Sequence, residues 1–314
     1  MKTKTSLRTF FLGIAVGTLT TASTAEIYAQ GIFLPASGAV NRGMGGATTG
    51  AAIEAIGSMY WNPSTISHLP TNEMAFGFET LYGNYSIASS VPGLGAGITD
   101  AESGANPVPT IAWVHHTNHP DVTFGLGIFG VAGFGLNIRG DATNPVLSPP
   151  FALGGAGVGG IKSEATFFQM NPAISINVTE RLSFAAGPTI GMGKITLDDN
   201  AFVAANADGL YPRGDGTRYH WGLGAQAGFH YIHDSRWQLG ANVKTPTWFE
   251  PFRYFSEDAT GLPRIDKVDV TLPLIVSTGV SYRGVPGTIL AADLRYLNYA
   301  DTSGLPPGTA RMAV

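Results

Sequence analysis

Tyr219-His220-Trp221-Gly222-Leu223-Gly224-Ala225-Gln226-Ala227-Gly228-Phe229-His230-Tyr231 alternates without a break over thirteen residues. Every odd position is apolar or aromatic, and every even position is His, Gly or Gln. Side chains of a strand alternate between faces, so this is a single long strand with one greasy and one polar surface. On the greasy surface the aromatic rings stand at both ends, with Leu and Ala between them. Two interfacial girdles around a hydrocarbon band require that order, and His220, Gln226 and His230 would then line a wet lumen.

The same period recurs in both directions. Met74, Phe76, Phe78 and Tyr82 alternate with Glu73, Gly77 and Glu79; Phe168, Met170, Ile174 and Ile176 with Gln169, Asn171, Ser175 and Asn177; Leu290, Ala292, Leu294 and Tyr296 with Asp293 and Arg295. Counting such runs gives about nine strands over residues 73–300. A soluble β-sandwich alternates too, so connection length decides. Short links at Thr117–Pro120, Thr179–Arg181, His233–Arg236 and Arg283–Gly287 alternate with long ones near Ala88–Val108, Phe134–Ser163, Asp199–Thr217 and Arg253–Arg264. Strict short/long alternation is the mark of an up-and-down transmembrane barrel with short periplasmic turns and long outer loops.

Composition agrees. The 314 residues include 42 Gly and no Cys, and 13% are charged, which excludes a disulfide framework and a thiolate metal site. With 18 Lys and Arg against 22 Asp and Glu and no basic cluster, a nucleic-acid partner is not expected. Lys2, Lys4 and Arg8 precede an apolar run from Phe10 to Leu19, and small residues follow to Ala25 and Ala29. That is a secretory signal peptide over residues 1–29, cleaved after Ala25 or Ala29, and it sends the chain out of the cytoplasm.

Between the signal and the first clean strand, residues 30–72 lack the two-residue period and read as a plug rather than a wall. They contain Arg42-Gly43-Met44-Gly45-Gly46-Ala47, an alanine-rich stretch around Ala51–Ile56, and Tyr60-Trp61-Asn62-Pro63-Ser64. That ordered set resembles the N-terminal hatch of the FadL/TodX family of outer-membrane transporters for long-chain fatty acids and other hydrophobic compounds. The family's Asn-Pro-Ala is met here by Asn62-Pro63-Ser64, and its paired acids by the single Glu54. The resemblance, carried further by Met170-Asn171-Pro172 and the strands between Asp269 and Tyr299, implies an all-β, hatch-plugged, antiparallel barrel. It implies bacterial outer-membrane placement, contact with outer-membrane lipid, delivery by the barrel assembly machinery, and passive uptake of a hydrophobic small molecule. Arg42, Gly43, Gly46, Asn62 and Pro63 become the hatch motif.

The resemblance also assigns a ligand route. Loop residues Phe202, Leu210, Trp248, Phe249, Phe252 and Phe255 either pack the loops onto each other or, as the resemblance implies, form an outer capture groove, and Phe33 and Leu34 become candidates for a deeper site at the start of the hatch. It implies lateral exit through a kinked third strand, for which Gly130, Gly133 and Gly135 are the candidates, since glycine in a strand marks a bend or bulge. A structural or secretion-associated barrel with a similar hatch is the alternative.

Other patterns are better read without chemistry. Gly155–Gly160 satisfies G-x-G-x-x-G but has no strand–turn–helix context. His115, His116 and His119 fall at a short turn. No compact nucleophile–base–orienter set appears, so neither enzyme, metal nor cofactor is expected, and Asp293 and Arg295 read as an inward-facing ion pair. Residues 301–314 read as the start of another outer loop, cut short. A closed barrel needs an even strand number, and roughly fourteen in this family, so the expectation is a C-terminally truncated member that does not insert as a stable monomer.

Overall fold

The computed structural model describes residues 32–304 except 103, 199–204, 207–209, 213, 215–217 and 259. The signal peptide, Phe202 and most of the 301–314 segment lie outside the described residues. The strands are β1 (Glu73–Tyr82), β2 (Ser86–Val91), β3 (Gly95–Asp100), β4 (Ala105–His116), β5 (Val122–Ile138), β6 (Ile161–Thr179), β7 (Leu182–Asp198), β8 (His220–Ile232), β9 (Trp237–Lys244), β10 (Thr247–Phe249), β11 (Phe252–Glu257), β12 (Pro263–Val268), β13 (Thr271–Leu272), β14 (Leu274–Val285) and β15 (Thr288–Asn298).

One antiparallel sheet runs β1-β4-β5-β6-β7-β8-β9-β14-β15, and the short β10 pairs with β8 and β13. Apart from the hairpins inserted between them, consecutive strands are neighbours, as in an up-and-down meander. Three long connections contain more structure, or less loop, than their sequences suggest. β2 and β3 form a separate hairpin, and so do β11 and β12, across the stretch read as a loop at Arg253–Arg264. β5 and β6 stay paired, across one register shift, up to Ile138–Ile161, well past the expected strand end at Phe134. The physical reason is local: Ser86–Val91 and Gly95–Asp100 have small polar alternation without an apolar stripe, and β11 has aromatic rings on both faces.

The wall is apolar outside and mixed inside, polar over part of its inner face and apolar where Val114, Phe129 and Phe167 meet the hatch. Phe78 is 73% exposed, and Met74, Phe76, Tyr82, Trp221, Leu223, Leu294 and Tyr296 stand out with it, while Thr123, Asn171, Ser175, Ser183, Gln226, His230 and Asn242 are buried. Rows of bare Phe and Leu on this scale are unsuited to water, whereas lipid tails are their proper solvent.

Residues 32–70 fill the concave side. Helix Ala55–Trp61 is capped by the Glu54 carboxylate, which accepts from the Ile56 N–H at 2.6 Å and the Gly57 N–H at 2.5 Å. Both are otherwise orphan donors of a helix start. The Asn62 side chain caps the 3₁₀ turn Pro63–His68 in the same way, and Pro63 occupies the first position, where no N–H is needed. Ala55, Ile56, Met59, Tyr60, Trp61 and Ile66 then pack against Ala112, Val114, Phe129 and Phe167 of the wall in one core.

Candidate functional site

The hatch is fastened to the wall mainly through polar groups. Asn62 donates through Nδ2 to the Thr49 carbonyl at 2.8 Å and to the Phe229 carbonyl of β8 at 3.0 Å, while its Oδ1 accepts from Ser64. Arg42 forms an ion pair with Glu79 of β1 and also donates to the Ala36 carbonyl. Gly46 has φ 84°, and a Cβ there would collide with the Pro35 carbonyl oxygen, so the motif needs glycine at this position. Gly43 differs: nothing lies within 4 Å of an added Cβ, so no packing demand explains it.

Among the described residues three cations from the wall reach the hatch, and one of them, Arg283 of β14, donates to the Ala52 carbonyl. Lys244 Nζ donates to the Tyr60 carbonyl at 2.6 Å, a favourable place for positive charge because last-turn helix carbonyls are unpaired. Arg295 pairs with Asp293 at 2.5 Å, donates to the Gly46 carbonyl, and lies 3.7 Å from the centre of the Trp61 ring. Asp293 in turn accepts from the Thr49 N–H at 2.9 Å, so the expected inward ion pair also holds the hatch. Lys244 could be read from sequence as a polar-face residue beside Asn242, but its partner is a backbone carbonyl and leaves no sequence signal.

Phe33 and Leu34 meet the wall where it parts. β4 pairs with β5 from His116–Thr123 only up to Thr110–Phe129. Beyond that level β4 brings Pro107 and Pro109, which have no N–H, and β5 bulges between Gly130 and Ala132. The hatch start takes the free edge: Leu34 N–H donates to the Val131 carbonyl at 2.7 Å and Phe33 bridges Ala132. The bulge thus sits at Gly130, and Gly133 and Gly135 continue in regular pairing with Thr166 and Glu164. The Phe33 ring is buried 6.1 Å from both Tyr60 and Trp61, and its N–H donates to the Tyr299 hydroxyl at 3.1 Å.

The loop aromatics do not form one exposed groove. Trp248 and Phe255 are 56% and 79% exposed, whereas Phe249 and Phe252 are 9% and 0% exposed. Alternation along β10 and β11 sends them to opposite faces. Phe249 and Phe252 meet Phe167 edge-on with ring centres 5.4 and 6.3 Å away, forming an aromatic layer inside the wall. Leu210 is half-buried, its N–H donating to Asn206 Oδ1 at 2.9 Å.

At the level of Lys244 the lumen face is polar. Asn171 and Gln226 are buried with both carboxamide atoms lacking a protein partner among the described residues, as does the Thr189 hydroxyl. Groups of this kind are satisfied by water in native proteins. Among the titrating groups of the hatch, burial pushes the Glu54 carboxyl up against its two N–H bonds, and burial pulls the His68 imidazole down. His68 Nδ1 lies 3.0 Å from His230 Nδ1 at the seam with β8. The three turn histidines diverge: His115 stacks on Trp113, His116 bonds Thr123, and His119 faces Asp121 at 3.9 Å. No group of three or more His, Cys, Asp or Glu that could hold a metal occurs among the described residues.

No protein-family model matches the chain, and no curated protein sequence matches it. Solved structures do. The Pseudomonas putida toluene transporter TodX superposes with a TM-score of 0.65 at 17% identity, covering 85% of this chain and 72% of its own. The Ralstonia pickettii toluene transporter TbuX gives 0.58 at 18% identity over 85% and 73%, and a Pseudomonas aeruginosa FadL homologue 0.55 at 15% over 86% and 70%. At these identities the likeness establishes a shared fold: an antiparallel β-barrel wall with an N-terminal hatch.

Proposed function

We propose that this chain is a member of the FadL/TodX family, an outer-membrane channel through which hydrophobic small molecules enter passively. The observation that carries the reading is the parting of β4 from β5, stitched by Ile32–Leu34 beside a buried aromatic layer. A wall that were merely structural would have no use for a breach closed by a removable segment, because unpaired strand edges in lipid cost several kcal/mol per group. An apolar ligand would lose its water among the outer apolar side chains, enter the layer formed by Phe167, Phe249 and Phe252, pass to Phe33 beside Tyr60 and Trp61, and leave sideways between β4 and β5 when the segment shifts.

The structural neighbours transport toluene and other monoaromatic hydrocarbons, which makes a small aromatic ligand the first candidate. A long-chain fatty acid is the second, and Lys244 in the polar layer favours it, since an ammonium there suits a carboxylate. Uptake of labelled toluene and labelled oleate by cells lacking their own channels, with and without this chain in the outer membrane, tests the reading. Faster entry of either supports it. No gain for any hydrophobic compound from an inserted chain would leave the structural or secretion-associated role.

A further inference from the structure

The outer face of the wall has a depression that transport through the lumen does not use. It is an apolar groove of about 450 Å³ across β4, β5, β6 and β7, walled by Trp113, Phe124, Leu126, Pro172, Ile174 and Pro188. Strand register explains its shape. Trp113, Leu126 and Pro172 stand side by side in one row, and Phe124, Ile174 and Ala186 in the next. Toward β8 the outward side chains shrink to Ala225 and Ala227, paired with Pro188 and Ala186, so tall side chains on one flank face short ones on the other.

The backbone keeps the groove from filling. Pairing between β6 and β7 stops at Met170–Ile190 and resumes at Ile174–Ala186. Pro172 and Pro188 lie in that lapse, and neither has an N–H to give the ladder. A Cβ on Gly187 would collide with the Pro172 carbonyl oxygen, so the two strands are pinched together there.

We propose that this groove seats one acyl tail of a bilayer phospholipid. The proposal rests on the membrane placement of the wall. Trp113, Phe124 and Ile174 are exposed members of the same apolar face that turns toward lipid everywhere else, so the groove is continuous with that face. Its Phe124 end is the one nearer the short β4–β5 turn, and the Trp113 ring stacks there on His115 at 5.6 Å. Such amphipathic rings belong at headgroup level, and the groove runs from there toward the bilayer interior. A concavity in hydrocarbon loses dispersion contacts unless something narrow and flexible follows its contour.

The test uses the full chain in phosphatidylcholine bilayers doped with acyl-brominated phosphatidylcholine. Trp113 emission is isolated as the difference between the parent and Trp113→Phe. The expected result is quenching of Trp113 at a low brominated fraction, with a lipid preference that Ala186→Leu, which fills the groove with an apolar side chain, lowers by about tenfold. Mass measurement of the detergent-released chain should find a retained phospholipid in the parent and its loss in Ala186→Leu. Quenching equal to that of random boundary lipid and unmoved by Ala186→Leu overturns the proposal, as does a second copy of the protein in place of the lipid mass. Hydrocarbon uptake should be the same in Ala186→Leu and the parent, which separates this groove from the transport route. A parent chain that never inserts would overturn the wall's placement and the groove with it.

Discussion

Phe252 and Phe255 are three positions apart in β11 and chemically identical, yet the fold gives them opposite duties. Phe252 lies in the aromatic layer with Phe167 and Phe249, so Phe252→Ser should lower stability by about 3–5 kcal/mol, the range for deleting a buried aromatic. Phe255→Ser should stay within about 0.5 kcal/mol, as exposed substitutions do. Denaturant unfolding of the refolded chain in micelles measures both, and equal effects would refute the assignment of faces. Arg295 makes a sharper case, because removing it leaves Asp293 buried without its partner. Arg295→Ala should cost about 3–5 kcal/mol and loosen the hatch selectively, since the lost contacts are to Gly46 and Trp61. Faster proteolysis of residues 40–60 with an intact wall is the expected pattern; uniform loss of protection would place the effect in the wall.

Among the elements, the 3₁₀ turn Pro63–His68 places a buried titrating group at the seam between hatch and wall. His68 contacts His230 at 3.0 Å and Ser183 at 3.4 Å, and burial holds its pKa below the ordinary 6.5. A base with a lowered folded pKa contributes stability above its unfolded value and loses it as pH falls through the folded one. Leakage through the seam should therefore rise as pH drops below about 6.5, and His68→Asn should flatten that dependence in conductance recordings. A flat profile in the parent would refute it. Element scale is also where the sequence was easiest and hardest to read. β1 and β8 are legible because one face of each is largely aromatic or aliphatic and the other mostly polar or Gly, and the short and long connections then separate a barrel from a soluble sandwich. The β11–β12 hairpin was hidden, because Phe252 and Tyr254 point in while Phe255 points out and the greasy face loses definition. The fastenings of the site were hidden for another reason: Lys244, Asn62 and Leu34 bind backbone carbonyls of Tyr60, Phe229 and Val131, and any residue type has a carbonyl.

Taken whole, the molecule is a wall and a plug joined through one core, and removing residues 32–70 should separate their contributions. The wall strands pair with one another along the β1 to β15 path, so the sheet should persist while small solutes leak through it. Liposome swelling with small sugars checks this, and unchanged permeability would mean that the segment plugs nothing. A last consequence concerns occupancy. Phe33 fills the space beside Tyr60 and Trp61 with the protein's own ring, tethered through the Tyr299 hydroxyl and the Leu34–Val131 bond. Any apolar guest for that space meets an internal competitor, and its apparent affinity is the intrinsic one reduced by the fraction of time Phe33 is absent. The tether therefore tunes affinity without touching the lining. Tyr299→Phe deletes the acceptor of the Phe33 N–H and should tighten binding in a ligand titration, whereas a change that merely damaged the pocket would weaken it.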